Sequence, residues 1–157
     1  MRLRPALCCA ALLLAAPAAA AQAIGIFEGW GAFRSGGQCY AIARPVRVAG
    51  REAARAYAGF GYRGGDMRFY ARLGRARRAG SSLTVTLGGR RFALTGTDRN
   101  AVAADAATDR AILAAVRMAN AMSIEGTDAR GQPIVDAYAL EGGPSAIDAA
   151  RLGCLAR

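Results

Sequence analysis

The sequence predicts a mainly β, α+β domain: an antiparallel β-sandwich or partly closed barrel carrying two short helices. Three observations lead there. Short alternations of apolar and polar residues recur along the chain, separated by brief turns that contain glycine, which is how hairpins of half-buried strands read. No strand-helix-strand alternation occurs in the first two thirds, so a parallel sheet is not expected. A helical period emerges only late, over Asp105–Asn120 and again after Ser145.

Taken in order, Gly25–Phe33 and Gln38–Ala43 alternate about Ser35-Gly36-Gly37 and read as a first hairpin. Arg44–Arg55 is rich in Arg and Ala, contains Pro45 and Gly50, and reads as a connecting loop. Ala56–Tyr62 and Met67–Leu73 form a second hairpin joined by Arg63-Gly64-Gly65-Asp66, and Ser82–Leu87 and Arg90–Thr95 a third about Gly88-Gly89. A two-residue Gly-Gly link suits a type I′ or II′ turn, whose twist matches the flanking strands. In that hairpin Leu83, Val85 and Leu87 face one way and Thr84 and Thr86 the other. Asn100–Ala104 is ambiguous. Asp105–Asn120 predicts a helix capped by Asp105 or Thr108, with Asp109 in its first turn and Ile112, Leu113 and Val116 on one face. Met122–Gly126 and Ile134–Leu140 read as strands turned by Thr127–Gly131. Ser145-Ala146-Ile147-Asp148 is an acidic capping box that opens a short helix ending near Cys154.

The amino terminus predicts an address. Arg2 and Arg4 precede an apolar run from Ala6 to Ala16, followed by small residues up to Ala23, the parts of a secretory signal peptide. The run is too short for a membrane span and ends at Pro17. Cleavage before Gln22 or before Ile24 satisfies the small-residue rule, and the reading adopted is the second: residues 1–23 a signal peptide, residues 24–157 a single β-rich domain. The expected location is periplasmic or secreted, with no transmembrane segment after cleavage. Of the four cysteines, Cys8 and Cys9 leave with the signal, so Cys39 and Cys154 are expected to pair in an oxidising compartment.

Composition removes much chemistry. The chain has no histidine, and all 21 of its basic residues are arginine. Ser-His and Cys-His nucleophiles, histidine metal sites and lysine Schiff bases are therefore absent. No glycine pattern of the phosphate-binding kind opens a helix. Asp105 and Asp109 stand one helical turn apart and read as first-turn acids that favour the helix dipole rather than as metal ligands. Asp66, Asp128 and Asp136 read as turn or strand-edge residues, Asp136 with Arg130 as partner. The expectation is a non-enzymatic protein with no catalytic residues, metal or cofactor.

The net charge of +10 is unevenly placed. Ile24–Arg91 carries thirteen arginines against three acids, whereas Phe92–Arg157 carries six against eight. Period two over Met67–Leu73 puts Arg68, Tyr70 and Arg72 on one face, and Arg75, Arg77 and Arg78 extend the stripe. Arg68, Arg72, Arg75, Arg77 and Arg78 are the candidate anion-binding residues. Export directs them toward anionic lipid, lipopolysaccharide or an envelope protein rather than nucleic acid. The alternative is a protein–protein interaction domain acting through an apolar surface around Trp30, Phe60 or Phe69.

A further order of residues carries a family resemblance. Asp109, Ile112, Ala115 and Arg117, then Met122-Ser123-Ile124, Arg130-Gly131, Asp136-Ala137-Tyr138-Ala139-Leu140, Gly142, Ala146-Ile147 and Cys154 follow one another in the carboxyl-terminal half. Trp30 ahead of Cys39, and Leu87–Phe92, add to it. This order resembles the invasion-associated locus B family of exported proteobacterial proteins. The resemblance implies an exported, non-enzymatic β-rich domain, linked in some pathogens to entry into host cells, and it carries over no catalytic residues.

Overall fold

Alternation sends every second side chain of a strand to the same side, and in this protein that side is buried against one core. The computed structural model describes residues 20–46 and 55–156; among them lie ten strands and two helices. In chain order they are β1 (Gln22–Phe27), β2 (Trp30–Ser35), β3 (Gln38–Ala43), β4 (Tyr57–Arg63), β5 (Asp66–Arg72), β6 (Thr84–Leu87), β7 (Arg90–Thr95), β8 (Asn100–Ala103), α1 (Ala106–Val116), β9 (Ala121–Thr127), β10 (Pro133–Ala139) and α2 (Gly143–Leu155). The strands hydrogen-bond in the order β1-β2-β3-β4-β5-β8-β7-β6-β9-β10, so the mainly antiparallel α+β expectation holds and the sheet is sandwich-like, not a closed barrel.

The sheet folds around its helices. Trp30, Ala32, Cys39, Phe60 and Phe69 on the β2–β5 side, and Val85, Leu87, Ile124, Ile134 and Tyr138 on the β6–β10 side, share one buried cluster with Ile112 and Val116 of α1 and Ala146, Ile147 and Ala150 of α2. The two sides meet at a narrow seam, where β7 and β8 pair only through Leu94–Ala103 and Thr95–Val102. At the far edges the halves touch again: the Trp30 indole N–H donates to the Ala139 carbonyl at 2.9 Å, and the Val46 N–H donates to the Ala137 carbonyl at 2.8 Å.

Four sequence expectations change in detail. The run Gly25–Phe33 is two strands, because Glu28 takes a left-handed φ of 49° and turns the chain at Glu28-Gly29. Asn and Gly advertise such turns and glutamate does not. Helix α1 is shorter than expected, capped by the Asp105 carboxylate, which accepts the Thr108 N–H at 2.7 Å. Helix α2 begins at Gly143, before the expected capping box, with Gly142 at φ 78° as its cap and Pro144 in its first turn. A Cβ at Gly142 would run into the backbone carbonyl of Phe27, so glycine lets α2 press against the β1–β2 turn. Asp148, expected in the capping box, instead pairs with Arg117 across the gap between the helices, at 3.0 Å from Nη1. Finally, Asp136 stands within β10, the last strand of the sheet order, rather than at a turn. It is fully buried on the inward side of β10 and accepts the Gly74 N–H at 2.8 Å.

The signal region up to residue 19 and most of the Arg44–Arg55 loop lie outside the described residues. Gln22 and Ala23 do not: they pair with Arg34 and Phe33 in β1. Cleavage before Ile24 would remove both, and cleavage before Gln22 would leave β1 whole.

Cys39 and Cys154 form the expected disulfide, with Cα atoms 5.8 Å apart and a sequence separation of 115. It ties the inward side of β3 to the last turn of α2, where the Arg34 guanidinium also donates to the Gly153 carbonyl. Closing so long a loop removes unfolded-state entropy worth ~4–5 kcal/mol. Reduction, or a Cys39→Ala/Cys154→Ala double variant, is expected to lower the melting temperature by more than ~10 °C. Equal melting curves for the oxidised and reduced protein would contradict this account of the clasp.

Candidate anion-binding site

With both helices on the inward side, the outer face of β1–β5 is left, among the described residues, to its own side chains. Its composition follows from register. One row across the strands reads Ile26, Gly31, Ile42, Gly59, Tyr70 and Val102, so that a side chain alternates with bare backbone over the first five strands. A neighbouring row reads Phe33, Tyr40, Gly61 and Arg68, and another places Tyr57 opposite Arg72.

Rings lie down where the glycines leave room. The Tyr70 ring crosses Gly59 and Gly61, whose added Cβ atoms would meet it at 3.1 and 3.5 Å. Phe33 lies over Gly31 in the same way and stacks on Tyr40 with centroids 5.7 Å apart, while Tyr57 and Tyr70 meet edge to face at 5.9 Å. Burial, and then the neighbouring phenols of Tyr57 and Tyr40, push the Tyr70 hydroxyl well above its ordinary value. It stays a hydrogen-bond donor at any physiological pH.

Two open grooves flank this pair. The first, about 680 Å³, has Ile26, Phe33, Ile42 and Tyr57 along its floor and walls and Arg44, Arg55 and Arg72 at its rim, with Glu28 at the turn. The second, about 630 Å³, is lined by Gln38, Tyr40, Gly61, Arg63, Arg68 and Tyr70 among others. Among the described residues, no carboxylate forms an ion pair with Arg44, Arg55, Arg63 or Arg72.

The five candidate arginines separate into two groups. Arg68 and Arg72 share the outer face as the alternation requires, although Arg68 also reaches Asp109 at 3.3 Å and Asp66 at 3.8 Å. Arg75 and Arg77 are engaged inside the protein. Arg75 pairs with buried Asp128 at 2.8 Å and donates to the Pro133 carbonyl, and Arg77 donates to the carbonyls of Gly96 and Ser81. Arg78 stands exposed on the same connecting segment, its N–H held by the Thr127 carbonyl. These three sit beside the β9–β10 turn, away from the outer face of β1–β5. Arg44 and Arg55, which do rim that face, fall in a stretch that reads as a loop. The signal that could have found the face is the run of glycines at outward positions among tyrosines, Gly59 and Gly61 above all.

Acids weighed for chemistry have structural partners. Asp105 caps α1. Asp109 accepts the Phe69 N–H at 2.8 Å, just beyond the last β5–β8 pair, as well as the Arg68 contact. Trp30, Phe60 and Phe69, the rings expected of an apolar contact surface, are buried in the core. Compared with known proteins, the chain matches no family model, no curated protein and no solved structure.

Asp128 gives the region a pH signature. Burial works to raise its carboxyl, but the N–H groups of Gln132 and Arg130 and the charges of Arg75 and Arg130 outweigh it and hold the group below the usual carboxylate range. A depressed carboxylate contributes stability above its unfolded value of about 3.9, and loses it as the pH falls through the lower native value. Asp128→Asn, which keeps an oxygen for the turn but removes the charge, should be less stable than the parent at neutral pH. The gap should close in acid. Urea melts at neutral and acidic pH test this, and an equal deficit at both would refute the electrostatic part of the argument.

Proposed function

We propose that this protein is an exported, non-enzymatic binding module that holds an anionic component of the cell envelope on the outer face of β1–β5. The signal-like amino terminus and the resemblance to the invasion-associated locus B family support the exported half of the reading. One observation carries the binding half: Arg44, Arg55 and Arg72 surround an apolar groove and have no ion-pair partner among the described residues. Guanidinium groups match carboxylate and phosphate bidentately, and an apolar floor lowers the local dielectric in which they act. The groove falls in the size range of small-ligand sites.

The test is co-sedimentation of the disulfide-bonded protein with phosphatidylglycerol vesicles, phosphatidylcholine vesicles and lipopolysaccharide at low and high salt. An anionic target should bind where phosphatidylcholine does not, and high salt should release it. An Arg44→Gln/Arg55→Gln/Arg72→Gln variant should lose binding at an unchanged melting temperature. Arg75→Gln/Arg77→Gln should do the reverse, melting earlier while still binding. Salt-independent binding, or binding that survives the triple replacement, would overturn the assignment.

A further inference from the structure

The grooves do not merely repeat one another; their cations are distributed. Arg44, Arg55 and Arg72 belong to the first groove and Arg63 and Arg68 to the second. Between the two lies the Tyr57–Tyr70 pair, resting on a β4 whose outward positions Gly59 and Gly61 carry no side chain. On β5 the same alternation repeats at short range, with Arg68, Tyr70 and Arg72 outward at successive spacings of ~7 Å.

A lipid with one acidic headgroup matches this poorly. It needs cations at one end and a continuous enclosed apolar channel for its chain, whereas both grooves are open and the surface between them is made of separate rings. A polymer that repeats a negative charge and a flat, half-apolar unit matches it well. The C–H face of a pyranose ring can lie against the electron-rich face of a tyrosine or phenylalanine. Its hydroxyls can meet the phenols, and its carboxylates the guanidinium groups.

We propose that the outer face of β1–β5 is a site for a linear acidic glycan, a chain of uronate sugars laid across Tyr57 and Tyr70 from one groove to the other. The proposal rests on the anion-binding reading above and names its ligand. Phe33 and Tyr40 offer a second stacking platform beside the path, and Tyr70 remains a neutral donor. Each sugar-aromatic contact contributes modestly, so affinity comes from repetition along the chain.

The probes are short and long oligogalacturonates, neutral malto-oligosaccharides of the same lengths, and phosphatidylglycerol vesicles, with binding to the disulfide-bonded protein measured by titration calorimetry. The expected result is oligogalacturonate binding that tightens with length until both grooves are spanned, weakens with salt, and is absent for the neutral series. Tyr57→Ala and Arg72→Gln should each weaken the long oligomer about tenfold, at unchanged melting temperature. Both side chains are half-exposed on the outer face, and a Tyr40→Ala variant repeats the stacking test at a second position. Vesicle binding without oligogalacturonate binding would overturn this proposal and leave the anion-binding reading standing; binding of neither would overturn both. Affinity independent of length, or equal in the parent, Tyr57→Ala and Tyr40→Ala proteins, would also overturn it.

Discussion

The seating of the Trp30 indole fixes which side of the sheet is inside, and the rest of the molecule depends on that choice. The ring is buried between β2 and the start of α2, close enough that a Cβ on Gly143 would sit 3.3 Å from it, and its N–H reaches across to β10 at Ala139. One side chain thus brings together the first strands, the last strand and the last helix. The Cys39–Cys154 bond acts at the other end of α2, so the helix is held at both ends along the inward side of β1–β3. Because strand side chains alternate, filling one side in this way commits Phe33, Tyr40, Ile42, Tyr57, Tyr70 and Arg72 to the other.

That commitment explains how the arginines divide. A guanidinium on a connecting segment finds unpaired carbonyls and turn carboxylates nearby, and Arg75 and Arg77 stitch the crossing between β5 and β6 to the β9–β10 turn and to Gly96. A guanidinium on a strand's outer face finds the backbone beneath it already paired in the ladder, and its partners depend on what borders the strand: Arg68 reaches Asp66 and Asp109, whereas no described carboxylate pairs with Arg72. Arg72 is in that position, and Arg44 and Arg55 flank the same groove. The basic half of the chain therefore contributes both internal ties and a cationic rim, and only register tells them apart.

Most of the architecture was legible in the sequence because it follows from local rules: glycine-bearing turns locate three hairpins, and the 3.6-residue period locates α1. What escaped had no local signal. The β1–β2 turn is made by Glu28, a residue type that rarely accepts a left-handed backbone, so the run Gly25–Phe33 shows no break. The capping residue of α2 is Gly142, chosen by the close approach of Phe27 rather than by a side-chain acceptor, and a capping-box search lands on Ser145 instead. The burial of Asp136 is not announced either, because nothing nearby in sequence points to Gly74, 62 positions away, as its donor. For the candidate site, Arg68 and Arg72 were placed on the correct face by alternation alone. The aromatic and glycine rows were not, since they depend on the register of six strands at once.

The direct test of the central claim is hydroxyl-radical footprinting of the native, disulfide-bonded protein, read residue by residue with mass spectrometry. If Trp30 and its partners define the inside, Trp30, Phe60, Phe69 and Tyr138 stay protected until the protein is denatured, while Phe33, Tyr40 and Tyr57 are oxidised in the native state. Oxidation of native Trp30 or Phe60 as fast as Tyr57 would contradict the assignment of the two faces, and with it the site built on the outer one.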